Sequence, residues 1–225
     1  MSLDGTKIGW IGAGKMGGPM SRRLVGAGAT LAVYDPVAAN VEAVVATGAR
    51  AASSNQDVIA DADIVISMIP NDAVLGAITI GEEGIFANLA PGTIYVDMST
   101  VSPEASGEVS AAAVAAGIDY LRAPVSGSVA LAEAGKLTIM VSGPKDAADK
   151  CADVFAAMSA ENFYLGVDDQ ARYLKLVINL LVGTRSAVLA EALTLGRKGG
   201  LDWEQMIDVI GVSAAASPYI QYNVV

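Results

Sequence analysis

Histidine is absent from these 225 residues, and cysteine occurs once, at Cys151. Those two facts exclude a zinc site of the usual Cys/His kind and any Ser-His-Asp or Cys-His nucleophile. They also exclude an internal disulfide, which fits a reducing compartment. Any general acid or base must therefore be a Lys, Asp, Glu or Tyr. Basic residues are scarce too: 14 Lys and Arg stand against 24 Asp and Glu, for a net charge of −10, with no local basic run. Such a chain repels phosphate backbones, so nucleic acid is not expected as a partner. No metal is expected either. Mean hydropathy is +0.47, yet long apolar runs are missing. The longest charge-free stretch, Val209–Val225, contains Pro218, Tyr219, Gln221, Tyr222 and Asn223, and a spanning helix needs about 20 mostly apolar residues. The N-terminus carries Asp4 and Lys7 and turns at Gly12, unlike a signal peptide. A cytoplasmic protein with no membrane partner is the expectation.

What is present alternates. Lys7–Gly12, Thr30–Tyr34, Ile64–Ile69, Ile94–Val96 and Tyr120–Leu121 are brief, β-branched and bounded by Gly, Pro or Asp, as buried strands are. Met16–Ala27, Val37–Ala46, Asp57–Ala60 and Pro103–Ala116 carry helical spacing between them. The last has Ser102 as N-cap, Pro103 at the first helical position and Glu104 in the first turn. This alternation predicts an α/β fold: a doubly wound parallel sheet covered on both faces. Leu137–Ser142 reads as a further strand and Pro144–Ser159 as the helix after it.

The texture changes near Gly166. From Asp168 to about Lys198 there is no proline, and the stretch reads as one helix of about 30 residues, apolar nearly all round, as expected of a helix buried between domains or subunits. Gly199-Gly200 ends it, and Asp202 caps a helix over Trp203–Ile210. Residues 1–166 carry a charge of −9 and residues 167–225 only −1. Two domains are expected on this split: a dinucleotide-binding domain over 1–166, and over 167–225 the long interdomain helix with the start of an all-α region. That region looks unfinished. Either it exchanges cover with a partner subunit, or chain continues after Val225.

Gly12-Ala13-Gly14-Lys15-Met16-Gly17 directly follows a strand and opens a helix. Gly12 permits the tight turn, Gly14 lets backbone approach a pyrophosphate, and Gly17 allows close helix–strand packing. The exposed N–H groups of the helix start then bind the phosphates. Asp35, 23 residues beyond Gly12, ends the second strand. A carboxylate there accepts hydrogen bonds from the adenosine ribose and repels a 2′-phosphate, so NAD is expected over NADP. Pro36 follows where an NADP enzyme often has Arg, and Arg50 is the one nearby base that weakens this reading. Met68-Ile69-Pro70 and Ser99-Thr100 end later strands and should complete the cofactor site.

Ala123-Pro124-Val125-Ser126-Gly127-Ser128 follows a strand, and its N–H groups and hydroxyls suit a carboxylate. An ordinary Ser/Gly turn reads the same way. Lys175 and Asn179 stand at i, i+4 on the long helix, with Val182, Gly183 and Ser186 on the same side. A lysine amid Leu174, Leu176, Val177 and Ile178 is costly to bury charged, which lowers its pKa toward the range of a general acid. A lysine that snorkels to solvent is the alternative.

Taken together, residues 12–20, Asp97-Met98-Ser99-Thr100, Ala123–Gly127 and Lys175 with Asn179 resemble the β-hydroxyacid dehydrogenases, in order and spacing, over about residues 5–212. The resemblance implies a Rossmann domain, a long interdomain helix, a helical C-terminal domain and a homo-oligomer, either dimer or tetramer. It implies hydride transfer between NAD(P) and a small, carboxylate-bearing β-hydroxy acid or its semialdehyde. By the same resemblance Lys175 is the catalytic acid/base and Asn179 orients substrate. Ser126 with Gly127 holds the carboxylate, and Thr100 contacts nicotinamide or substrate; Ser128 joins the candidate carboxylate ligands on the strength of its own hydroxyl in that turn. There are departures. The family's loop before the lysine has glycines near the positions of Asp169 and Ala171, and Ser128 replaces a second glycine. Two added carboxylates, Asp168 and Asp169, are expected near the cleft, with an effect on closure or substrate choice. A 6-phosphogluconate dehydrogenase has His where this chain has Ile178, and imine reductases usually lack the lysine. An NADPH-dependent imine reductase and a non-catalytic dinucleotide-binding protein remain the alternatives.

Overall fold

The computed structural model describes residues 2–217. The apolar tail from Pro218 onward lies outside the described residues. The chain divides into two compact units, residues 1–175 and 176–225.

The first unit begins with β1 (Lys7–Ile11), α1 (Gly17–Gly26), β2 (Thr30–Tyr34), α2 (Ala38–Val45), β3 (Arg50–Ala51), α3 (Asn55–Ile59), β4 (Ile64–Ser67), α4 (Asp72–Thr79), β5 (Ile94–Asp97), α5 (Pro103–Ala116) and β6 (Asp119–Arg122). All six strands pair in parallel in the order β3-β2-β1-β4-β5-β6. This is the doubly wound order, which reverses direction between β1 and β4. β4 and β5 are buried at every residue, which explains why they read as continuous apolar runs rather than alternating ones. One face of the sheet buries Trp10, Met20, Leu24 and Ile66; the other buries Val65, Leu75, Tyr95 and Val109. Ser54, Asn71 and Ser102 each accept a backbone N–H at the starts of α3, α4 and α5.

β7 (Val125–Ser126), α6 (Val129–Glu133), β8 (Leu137–Val141), α7 (Lys145–Lys150), α8 (Ala152–Met158) and β9 (Ser159–Tyr164) follow. The Leu137 strand does not extend the parallel sheet. It is the centre of a separate three-stranded sheet, antiparallel to β7 and parallel to β9. The expected single helix over Pro144–Ser159 is two helices, broken at buried Cys151, whose ψ of 2° lies outside the α region. The chain then goes straight into β9, which uses Ser159 as a strand residue.

α9 (Gln170–Lys198) starts in the first unit and runs into the second, where α10 (Trp203–Val212) follows. Asp202 caps α10, and Leu193, Met206 and Ile207 form a small core. α9 is long and apolar enough to cross a membrane by length and composition, and in this chain alone it is largely exposed. Counting charge-free stretches missed it, because Lys175 and Arg185 interrupt a run whose average hydropathy stays high.

Candidate active site

A cleft of about 590 Å³ opens at the C-terminal ends of β1 and β4, where the strand order reverses. Gly12, Gly14, Lys15, Met16, Gly17, Asp35, Met68, Ile69 and Pro70 line it, with Tyr34, Pro36, Asn55 and Val74 completing the walls. Nearly all of the expected cofactor residues meet there. Ala13 lies behind the wall, buried, and its N–H donates to Asp35 Oδ2 at 2.8 Å.

Each glycine of the loop has a different reason. Gly12 has φ +92°, and a Cβ there would lie 2.3 Å from the Met68 carbonyl oxygen. A Cβ on Gly17 would lie 1.9 Å from the Gly12 carbonyl oxygen, so both are required by the fold itself. Gly14 has nothing within 4 Å of such a Cβ, so the fold places no demand on it. The space in front of it is what a pyrophosphate needs. Trp10, fully buried, donates its indole N–H to the Gly12 carbonyl at 2.8 Å and pins the turn. Its residue type gave no functional signal; an aromatic with one donor two residues before the glycine turn is the feature to look for.

The first turn of α1 has no side-chain cap and no acidic residue; the Gly18 and Met20 N–H groups bond back to the Gly14 and Met16 carbonyls, and the positive end of the helix dipole faces the cleft for an anion. Asp35 is held from three sides: by Ala13 N–H, by Val37 N–H at 2.8 Å and by Asn40 Nδ2 at 3.0 Å. Asn55 Oδ1, also in the cleft wall, is a buried acceptor without a hydrogen-bond partner among the described residues. An open glycine cradle, a helix N-terminus with no acidic residue in its first turn and a fixed carboxylate fit a nicotinamide dinucleotide.

The remaining candidates lie outside this cleft. Thr100 is exposed on the loop after β5; Ser126 ends β7, and Gly127 follows with φ +143°. The Ser128 hydroxyl caps α6, accepting Leu131 N–H at 3.4 Å, a use of its lone pair that leaves the O–H to donate. Lys175 is half-buried in the second turn of α9, and burial pulls its pKa below the ordinary lysine value. None of the ion pairs among the described residues includes it. Asn179 stands one turn further along α9, past the boundary between units.

Sequence reasoning missed the polar network at the base of α9. Arg172 is 1% exposed and pairs with Asp97, itself fully buried. It also donates to the Ser99 carbonyl at 2.6 Å and the Tyr120 hydroxyl at 3.0 Å. Burial lowers and the Asp97 carboxylate raises the Arg172 pKa; the carboxylate prevails, so the guanidinium stays charged. Burial raises both Tyr95 and Tyr120, keeping their hydroxyls protonated. Asp169, expected near the cleft with freedom to affect closure, is instead tied down. It accepts from Ser106 Oγ at 2.6 Å and Arg122 Nε at 3.1 Å. Ala171, at the other departure from glycine, is fully buried with its N–H on Ser142 Oγ.

Fold and cleft together define a dinucleotide-binding protein. A family model described as the NAD binding domain of 6-phosphogluconate dehydrogenase matches residues 7–166. A second, described as NAD-binding of NADP-dependent 3-hydroxyisobutyrate dehydrogenase, matches residues 170–224. The chain is 42% identical to 2-(hydroxymethyl)glutarate dehydrogenase of Eubacterium barkeri, over 94% of its own length and 70% of the relative's. It is 37% identical to the NAD-dependent L-serine dehydrogenase of Pseudomonas aeruginosa, over 94% and 71% of the two chains. The solved structure of Mycobacterium tuberculosis 3-hydroxyisobutyrate dehydrogenase with L-serine superposes with a TM-score of 0.87 at 31% identity, covering 99% of this chain and 75% of that one. The chain belongs to the β-hydroxyacid dehydrogenase family, NAD(P)-dependent enzymes that transfer a hydride between dinucleotide and hydroxy acid.

Proposed function

We propose that this chain oxidises a small β-hydroxy acid, or reduces the matching semialdehyde, with NAD in preference to NADP and with Lys175 as general acid/base. The half-buried place of Lys175 one helical turn before Asn179 on α9, with no ion pair to it among the described residues, carries the assignment, and burial pulls its pKa down in keeping with it. A neutral amine takes the hydroxyl proton of the acid during oxidation, and its ammonium form returns a proton to the carbonyl oxygen during reduction. When bound, the nicotinamide supplies the hydride acceptor or donor. Asp35, with both oxygens already oriented by Ala13, Val37 and Asn40, supports NAD, because a 2′-phosphate would meet a fixed negative charge. Ser126 and Gly127 hold the substrate carboxylate and Asn179 orients it. Thr100 flanks the reacting carbon.

Residues 1–166 serve as the dinucleotide-binding domain, and 167–225 as the interdomain helix and helical region. The apolar face of α9, exposed through Leu176, Leu180, Val188 and Leu195, is covered by a second copy in a cytoplasmic homo-oligomer. NAD reduction with 2-(hydroxymethyl)glutarate, L-serine and 3-hydroxyisobutyrate, and NADH oxidation with the corresponding semialdehydes, test the reading. Lys175→Ala is expected to lower kcat by about 10²–10⁴ and leave NADH affinity unchanged. Full turnover in that variant sinks the proton-donor role. Silence on every substrate, with NADH still bound, would favour a dinucleotide-binding protein instead.

A further inference from the structure

The network around Arg172 has a geometry that core packing alone does not call for. Four segments converge on one guanidinium: Asp97 at the end of β5, the Ser99 carbonyl in the next loop, the Tyr120 hydroxyl on β6 and Ser106 Oγ on α5. Asp97 passes the contact on. Its other oxygen accepts from Ser67 Oγ at 2.7 Å and Ser99 Oγ at 2.6 Å, and Ser99 Oγ in turn accepts the Ile69 N–H at 2.8 Å. Ile69 is in the wall of the dinucleotide cleft, Thr100 follows Ser99, and Lys175 stands three residues after Arg172 on α9. The residue just before the helix is fastened in the same way, Asp169 to Arg122 and Ser106.

Apolar contacts let a helix slide and rotate; a planar fork with acceptors on several segments does not. Replacing a buried pair by apolar groups is often neutral for stability, so burial of these charges is poorly explained by stability alone. We propose that the Arg172–Asp97 pair is a positioning device, fixing the turn of α9 that carries Lys175 to the Ser99–Thr100 loop and, through Ser99, to Ile69 in the wall of the cleft. The proposal rests on Lys175 being the proton donor.

The test uses the full chain, with NAD reduction on whichever of 2-(hydroxymethyl)glutarate, L-serine and 3-hydroxyisobutyrate turns over fastest. NADH Kd by fluorescence and thermal unfolding are measured alongside. In the paired variant, Arg172→Met with Asp97→Asn, no buried charge is stranded, and the amide oxygen that replaces the carboxylate remains an acceptor for Ser67 and Ser99. This variant is expected to melt near the parent and to bind NADH with unchanged Kd, while kcat falls by about 10², the loss that follows a misplacement of order 1 Å. Arg172→Lys, which keeps the charge but not the fork, should lose kcat as well. In a Lys175→Ala background the pair should cost nothing further, since it acts through Lys175. Parent-like kcat in the paired variant, rescue by Arg172→Lys, or an equal loss with and without Lys175 would each overturn the proposal. The two readings fail separately: a fast Lys175→Ala removes the proton donor and the proposal with it, whereas a slow Lys175→Ala beside a fast paired variant removes the positioning role alone.

Discussion

Gly14→Ala separates folding from binding. Gly14 has no atom within 4 Å of an added methyl, and its φ is not positive. The fold therefore accepts alanine without strain. Gly→Ala at such a position raises stability by about 0.4–1 kcal/mol through the unfolded chain, or roughly 1–4 °C in Tm for a chain of this size. The empty space in front of Gly14 is the route by which backbone approaches a pyrophosphate, so the methyl occupies ligand volume. Overpacking of that order costs about 1–3 kcal/mol, or roughly 5- to 150-fold in NADH Kd. Differential scanning fluorimetry without ligand should show Gly14→Ala at or above the parent, and calorimetric titration should show weakened NADH binding. Gly17→Ala, with its Cβ 1.9 Å from a backbone oxygen, should instead melt well below the parent. Parent-like NADH affinity in Gly14→Ala would show that the dinucleotide does not pass that glycine, and the cleft assignment would be lost.

Arg172→Met alone leaves Asp97 buried and charged, which costs about 3–5 kcal/mol and should lower Tm by roughly 6–20 °C; adding Asp97→Asn should recover most of that loss. Asp35→Ala removes charge-assisted hydrogen bonds worth about 1.5–3 kcal/mol, so NADH should weaken by at least about tenfold while NADPH weakens less, and an unchanged NADPH/NADH Kd ratio would remove Asp35 as the selector. Burial pushes the Cys151 thiol up to about 12, so at a pH of about 8, near the ordinary thiol value, it should stay protonated and react with a disulfide reagent only on unfolding; rapid labelling of the native protein would contradict its burial. In the pH–rate profile for oxidation, a limb that rises as Lys175 loses its proton should lie below the ordinary lysine range, in keeping with its burial, and should vanish in Lys175→Ala.

The parallel sheet was legible because its central strands are buried on both faces and so spell unbroken apolar runs, as in Ile64–Ser67. Pro103–Ala116 was legible to the residue because cap, proline and terminal glycine all mark it. The second sheet was not, because β7 has two residues and β9 is largely exposed and polar, so neither has a periodic signature. The phosphate loop could be read because each of its glycines follows a backbone rule. Arg172 could not be read, since a charged residue inside a helical pattern is ordinarily solvated; only the tertiary fold shows Asp97 opposite it, 75 residues earlier in the chain.

The order of the central strands also sets when this protein first acquires a ligand site. β1 and β4 are neighbours, yet Lys7 and Asp63, joined by a hydrogen bond beside their pairing, are 56 residues apart. A nascent chain that has released only the glycine loop and α1 has half a cleft; the wall formed by Met68, Ile69 and Pro70 has not been made. Parallel pairing over such a separation carries a loop-closure cost that more local contacts do not. Dinucleotide binding then stabilises only chains in which the sheet has closed at its centre.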